Sequence, residues 1–198
     1  MKRLIVWFLL LGCVTVAGAV RADAQAGPEK GGNELELWTG GGHGVKGIAS
    51  NTEVWMAGGR YGWVLTDPRG PDFLRGRFEY AVDVVPIFWL FQPGGSAYGV
   101  AVDPVVFKWN FDTHGRIVPY VDLDGGVLFT NRKTPPGTSR LNFTPSGAVG
   151  IHLLGKKINW SAEVRYMHIS NAGFASQNPG INTLQVRIGV GMFTRPRE

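Results

Sequence analysis

The stretch "LRGRFEYAVDV", residues 74–84, alternates apolar and charged side chains with a period of two. Leu74, Phe78, Tyr80, Val82 and Val84 fall on one face, and Arg75, Arg77, Glu79 and Asp83 fall on the other. Successive side chains of a β-strand point to opposite faces, so this stretch predicts a strand with one apolar face and one charged face.

The same alternation recurs along most of the chain, for example in residues 55–65 and 184–192. We predict eight strands, at about 33–40, 53–65, 74–87, 97–110, 117–129, 141–154, 158–169 and 182–193. Turn sequences such as DPRGPD, QPGGS and KTPPG separate them. With 29 glycines among 198 residues and neither a helical stripe nor a linker, the chain is expected to be a single all-β domain over residues 27–198.

The first 26 residues have the layout of a secretory signal peptide. Lys2 and Arg3 precede an apolar run, and small residues at 22–26 offer cleavage sites. An uncleaved anchor, or a lipid attached to Cys13, is a weaker alternative. Cys13 is the only cysteine, so the mature protein would contain no internal disulfide. The formal net charge of +5 is too small to indicate nucleic-acid binding.

Three features favour a membrane barrel over a soluble one. The strands are long enough to cross a bilayer at a tilt. The charged faces carry both signs, as the packed lumen of a narrow barrel requires. Aromatic residues cluster toward strand ends, as an interfacial girdle does. We therefore predict an eight-stranded antiparallel transmembrane β-barrel in the bacterial outer membrane, with a secreted lipocalin-like barrel as the structural rival.

The connections alternate in length. With the amino terminus in the periplasm, the outer loops would be residues 41–52, 88–96, 130–140 and 170–181, and the inner turns 66–73, 111–116 and 155–157. The outer set is longer on average, as in outer-membrane barrels. On this reading "GGGHG", residues 40–44, belongs to a flexible outer loop, and His168 and Ser170 lie at the outer end of the seventh strand.

His168 and Ser170 share the apolar, outward face of that strand with Val164 and Tyr166. Residues i and i+2 lie about 6.5–7 Å apart along a strand, so an imidazole and a hydroxyl can meet there. Histidine can activate a serine hydroxyl by accepting its proton. Such a pair at a strand end is nevertheless more often simple interfacial polarity, so spacing alone does not predict catalysis.

The longer sequence "HISNAG", followed by "NPGIN", resembles the signature of the outer-membrane lipid A 3-O-deacylases of the PagL type. Residues 115–129 and 143–155 are also similar to that family. The resemblance implies an eight-stranded barrel that cuts an ester-linked acyl chain from lipid A, with lipopolysaccharide and membrane lipids as partners. It implies no cofactor and no metal, and it leaves the oligomeric state open, a homodimer included.

Carried over by position, the resemblance makes His168 the general base and Ser170 the nucleophile. Asn171 and backbone N–H groups up to Gly173 would hold the oxyanion. The family places a glutamate where this chain has Asn182. Asn182 would orient the imidazole through its amide oxygen without balancing its charge. An acid from another strand, for which Glu53 is the candidate, is the alternative.

The remaining histidines, His43, His114 and His152, form no spacing pattern typical of a metal site. Two other classes of function stay open at this point. One is a non-catalytic outer-membrane barrel with a structural or adhesive role, and the other is a soluble lipid-binding barrel.

Overall fold

The computed structural model describes residues 24–25, 27–45 and 51–194. Ten strands occur in this part of the chain: β1 Ala24–Gln25, β2 Asn33–Gly44, β3 Glu53–Val64, β4 Gly76–Phe91, β5 Ala97–Phe111, β6 Ile117–Thr130, β7 Leu141–Phe143, β8 Ser146–Leu153, β9 Asn159–Ile169 and β10 Ile181–Thr194. Residues Asp72–Leu74 form a 3₁₀ turn just before β4. No described helix is long and apolar enough to cross a membrane.

The strands close into an antiparallel barrel. From β2 to β6 each strand pairs with the next, β6 pairs with β7 and β8, and β8 pairs with β9. β10 pairs with both β9 and β2, which closes the ring. β7 and β8 lie along the same flank of β6 and together fill the predicted sixth strand. The prediction of an eight-stranded antiparallel β-barrel is confirmed. The predicted signal peptide lies outside the described residues except for β1, which pairs with Phe193 and Thr194.

The prediction that residues 40–44 form a flexible loop is wrong. β2 continues through Gly44 and pairs with β10 and β3 along this whole segment. A Cβ atom at Gly42 would lie 2.6 Å from Cγ of Gln185, and one at Gly40 would lie 2.9 Å from the carbonyl oxygen of Val186. These glycines therefore allow neighbouring strands to approach closely.

β4, which corresponds to the predicted third strand at 74–87, is displaced from its predicted bounds. It begins at Gly76, because residues 72–74 form the 3₁₀ turn, and it runs on to Phe91. Arg75 therefore lies outside the lumen, contrary to prediction, and with Arg77 it binds Asp112 at 3.3 and 2.7 Å. At the other end of β4, Phe88 and Leu90 point inward and Trp89 and Phe91 point outward. The strand therefore continues through residues 88–91, which were predicted to belong to a loop.

The two faces of the barrel wall differ as the sequence predicted. Large apolar side chains such as Val164, Val186 and Ile188 are 46–58 % exposed on the outside. Trp55 and Trp89 face each other near one rim, and Tyr61, Trp63 and Tyr80 pack near the other. An apolar outer wall with an aromatic belt at each end is the surface that a bilayer requires.

The lumen is packed in two zones. We call the first the ion network; it consists of Glu34, Glu36, Arg60, Glu79, Asp83, Lys108, Asp122, Asp124, Glu163, Arg165 and Arg187, all buried. We call the second the apolar plug; it consists of Trp38, Val54, Met56, Val85, Phe88, Leu90, Ala97, Ala101, Leu128, Met167, Ile169 and Ile181. The plug lies toward the rim that carries residues 92–96, 131–140 and 170–180, which we call the outer rim.

Candidate active site

The candidate site lies at the outer rim, where β9 ends and β10 begins. His168 is the penultimate residue of β9, and Asn182 is the second residue of β10. They are direct partners in the antiparallel register. The ten-residue loop between Ser170 and Ile181 therefore folds back and places the two side chains opposite each other.

The backbone pairing brings these two side chains especially close. The carbonyl of Asn182 accepts from the N–H of Val45, which directly follows β2, and the N–H of His168 donates to the carbonyl of Pro145. Both residues thus direct their backbone groups away from each other, which makes them a non-hydrogen-bonded pair, the type with the shorter Cα separation. Register and pairing type together position Asn182 against the imidazole.

The side chains of the pair are in contact, with His168 Nδ1 2.6 Å from Asn182 Oδ1. Because an amide oxygen only accepts hydrogen bonds, this contact assigns the imidazole proton to Nδ1. Nε2 then carries the lone pair. That is the tautomer in which a histidine can accept a proton from a hydroxyl group.

Ser170 follows two residues later and is held by its own backbone. Its N–H donates to the carbonyl of Phe143 at 3.1 Å, and its carbonyl accepts from the N–H of Phe143 at 2.7 Å. Ser170 is only 8 % exposed, whereas Tyr166 in β9 is 49 % exposed. The described contacts contain no hydrogen bond between the Ser170 hydroxyl and His168, so the two predicted catalytic side chains are neighbours that the structure does not join.

The loop after Ser170 is tied together by Asn171, which is 1 % exposed. Its Nδ2 donates to the carbonyl of Gln177 at 2.9 Å, and its Oδ1 accepts from the N–H of Gly173 at 2.9 Å. The backbone N–H of Asn171 donates to Asn178 Oδ1. The predicted oxyanion donors Asn171 and Gly173 are thus together in the turn, but the N–H of Gly173 is already used. The described contacts use one of the two amide hydrogens of Asn171.

Gly180 supports the imidazole, and sequence reasoning did not identify this. Its φ is 66°, and a Cβ atom there would lie 2.7 Å from His168 Cε1 and 3.4 Å from Nε2. Only glycine combines that backbone conformation with so close an approach. The sequence signal was the pair Pro179–Gly180 directly before β10, which indicates a tight turn but not what packs against it.

Glu53 lies too far from His168 to serve as its acid. It begins β3 and pairs with His43 of β2, which in turn pairs with Leu184 of β10. Three inter-strand steps of about 4.8 Å separate β3 from β9, or roughly 14 Å around the wall. Both Glu53 and His43 are exposed.

A possible metal-binding cluster lies deep in the lumen, away from this site. Ligand atoms of Glu34, Glu36 and His152 come within 4.8 Å of one another. The ammonium of Lys108 binds both carboxylate oxygens of Glu34, at 2.9 and 2.8 Å. The Lys108 ammonium therefore supplies the positive charge beside Glu34 that a metal ion would supply, and we interpret the cluster as part of the ion network.

A cavity in the lumen and a groove on the outer wall differ greatly in size. A cavity of about 10 Å³ remains between the plug and the network, enough for about one water molecule. On the outside, a shallow groove of about 370 Å³ runs between β8, β9 and β10, lined by Val149, Gly150, Ile151, Ala162, Glu163, Val164 and Val186. Of these two spaces, the outer groove is the one large enough to hold an acyl chain.

Residues 55–191 match the family model described as lipid A 3-O-deacylase (PagL). The chain belongs to this PagL family. It is accordingly an outer-membrane barrel of a lipid A deacylase family, with lipid A or lipopolysaccharide as the substrate class of the family. The predicted family and location are thereby confirmed.

Solved structures support the fold. The crystal structure of the outer membrane enzyme PagL matches with a TM-score of 0.60 and 19 % identity, over 78 % of this chain and 97 % of that one. Neisserial surface protein A matches with a TM-score of 0.52 and 11 % identity, over 82 % and 97 %. The amino-terminal barrel of Pseudomonas aeruginosa OprF matches with 0.51 and 14 %, over 83 % and 98 %. No curated protein sequence matches significantly.

Proposed function

We propose that this protein removes the 3-O-linked acyl chain of lipid A by a serine esterase mechanism. The observation that carries the proposal is the 2.6 Å contact between His168 Nδ1 and Asn182 Oδ1, which leaves Nε2 free to act as a base. Ser170 lies on the same outward strand face, two residues away, within reach of that nitrogen by an ordinary rotamer change.

The reaction follows from these groups. Ser170 Oγ attacks the ester carbonyl carbon while its proton passes to His168 Nε2. The second amide hydrogen of Asn171 stabilises the negative oxygen of the tetrahedral intermediate. His168 then returns the proton to the departing sugar hydroxyl, and water, deprotonated by the same nitrogen, releases the fatty acid from Ser170.

The substrate approaches sideways from the membrane. The outward groove is centred about four residues below His168 on β9, which corresponds to roughly 13 Å. An acyl chain whose ester lies at Ser170 would run down past Tyr166 into this groove. Its lining of Val149, Ile151 and Val164 offers the apolar contact that such a chain requires.

The test is deacylation of purified lipid A by the detergent-solubilised barrel, followed by mass spectrometry of both products. Ser170→Ala and His168→Ala should each reduce the rate by at least about 10⁴-fold, and the double variant should be little worse, since members of a catalytic unit act together. All variants should keep the heat-modifiable mobility of the folded barrel. Full activity in Ser170→Ala would disprove the assignment.

A non-catalytic structural barrel is the second candidate, favoured by one observation. Asn182 cannot balance an imidazolium charge as a carboxylate does. If the wild-type protein releases no fatty acid from any lipid A, the hypothesis of a structural barrel replaces that of an enzyme. Whether the barrel acts alone or as the homodimer is decided by its mass in detergent.

A further inference from the structure

The outer loop between β6 and β7, residues 131–140, carries three cationic side chains: Arg132, Lys133 and Arg140. All three are exposed, and none forms a salt bridge within the described residues. The other described outer connections, residues 45, 51–52, 92–96 and 170–180, contain neither a cation nor an acid. Among the described outer connections, positive charge is therefore concentrated in this loop.

This loop is firmly built. Thr130 donates two hydrogen bonds at its base: its N–H donates to the carbonyl of Arg140 at 2.9 Å, and its hydroxyl donates to the carbonyl of Arg132 at 2.6 Å. Thr134 N–H donates to Ser139, and the Thr138 hydroxyl donates to Pro135. The threonines are 0–4 % exposed, so buried hydrogen bonds hold the backbone while the cations project outward.

The loop also lies directly beside the candidate site. β7 begins at Leu141, immediately after Arg140, and its Phe143 exchanges both backbone hydrogen bonds with Ser170. The rings of Phe143 and Phe174 pack with centroids 5.9 Å apart. Arg140 is three residues above Phe143, or about 10 Å along the strand. A ligand bound to Ser170 would thus have its polar part near Arg140, while the Arg132 guanidinium lies farther along the rim, next to Gly95 of the 92–96 connection.

Resting on the proposed function, we infer that Arg132, Lys133 and Arg140 form a phosphate-recognition site for the phosphorylated sugar backbone of lipid A. Guanidinium groups bind phosphate oxygens in a bidentate manner, and a loop held in place loses little entropy on binding. The acyl chain would lie on the outward wall, the ester at Ser170, and a sugar phosphate at the loop. The loop would thereby select phosphorylated lipid over neutral lipid esters.

The experiment compares two substrates and two triple variants. Purified lipid A is prepared free of core sugars, so that carboxylates of acidic core sugars do not contribute to binding. It is used both with its phosphates and after phosphatase treatment. The loop variant is Arg132→Gln/Lys133→Gln/Arg140→Gln. The control, Arg69→Gln/Arg116→Gln/Lys157→Gln, removes the same charges from exposed positions at the inner turns.

The loop variant should raise KM for phosphorylated lipid A about 10-fold with little change in kcat, and leave the dephosphorylated substrate unaffected. The control should match wild type on both. An equal effect of the loop variant on both substrates, or no difference from the control, would overturn the inference.

Failure of the proposed function is distinguishable. If wild type hydrolyses neither substrate, native mass spectrometry of the Ser170→Ala protein with each lipid A preparation decides the question. Preferential retention of phosphorylated lipid A that is lost in the loop variant supports the site without catalysis. Equal retention of the two preparations refutes it.

Discussion

The two faces of β9 carry polar side chains that differ in burial and in their number of hydrogen-bond partners. On the inward face, Glu163 and Arg165 are enclosed and bonded to each other, and Arg165 also binds Asp122. On the outward face, His168 stands at the rim with one partner, Asn182, and a second nitrogen left over. Enclosed charges that are fully paired stabilise the barrel, whereas His168 at the rim keeps one ring nitrogen outside its contact with Asn182.

The largest effect that this comparison predicts is on stability. Asp83 binds Arg60 at 2.7 and 2.9 Å and Arg187 at 3.0 Å, all fully enclosed. Asp83→Asn keeps the volume but leaves two buried guanidinium groups short of a counter-charge, and should reduce the free energy of unfolding by about 3–5 kcal/mol. Urea unfolding in detergent, followed by tryptophan fluorescence, measures this.

Asp112 provides the matched control, because it too binds two arginines, Arg75 and Arg77, but at the exposed inner turn. Asp112→Asn should cost less than about 1 kcal/mol, as solvent screens exposed ion pairs. Equal losses of unfolding free energy in the two variants would mean that burial does not determine how strongly these ion pairs stabilise the barrel.

The next largest effect is at the rim and concerns Asn182. Asn182→Ala removes the acceptor for His168 Nδ1 and should lower kcat about 10- to 1000-fold without destabilising the barrel. Asn182→Glu should retain or raise activity, since a carboxylate adds imidazolium stabilisation in the same geometry. Glu53→Gln should be silent, because Glu53 lies three strands away. A damaging Glu53→Gln with a silent Asn182→Ala would reverse the assignment.

The sequence predicted the barrel well where alternation was uninterrupted, as in β6, β9 and β10. It failed at β2, where glycines that permit close strand approach looked like loop residues. It also placed Arg75 in the lumen, because a pattern of period two cannot show that the chain has already left the strand for a 3₁₀ turn.

At the site, parity and the loop length placed Asn182 opposite His168, and the structure brings their side chains together. The occupied N–H of Gly173 and the packing of Gly180 on the imidazole could not be predicted. Both depend on how the 170–180 loop folds over the strand ends, and residue types in a loop do not specify that path.

A smaller effect on kcat is expected from a substitution at Gly180, because a side chain there contacts the His168 imidazole. Gly180→Ala introduces a Cβ atom 2.7 Å from His168 Cε1, so the ring must shift, and kcat should fall about 10-fold. Gly94→Ala is the control: its φ of 85° imposes comparable backbone strain, of about 1–2 kcal/mol, but a Cβ there meets no atom within 4 Å. Similar kcat values for the two variants would show that strain, not the imidazole, is responsible.

The smallest expected effect is the pH dependence of the exposed pair at the inner turn. Partial burial raises the pKa of Asp112, but the hydrogen bond and charge of Arg77, followed by those of Arg75, outweigh it and hold the pKa below its ordinary value of 3.8. A depressed pKa means that ionised Asp112 favours the folded barrel. This contribution is complete above about pH 5 and is lost as the pH falls through 3.8 toward the folded-state pKa. The difference in unfolding free energy between wild type and Asp112→Asn should therefore shrink from pH 6 to pH 3. A difference that stays constant over this range would show that packing of the side chain, rather than its charge, stabilises the turn.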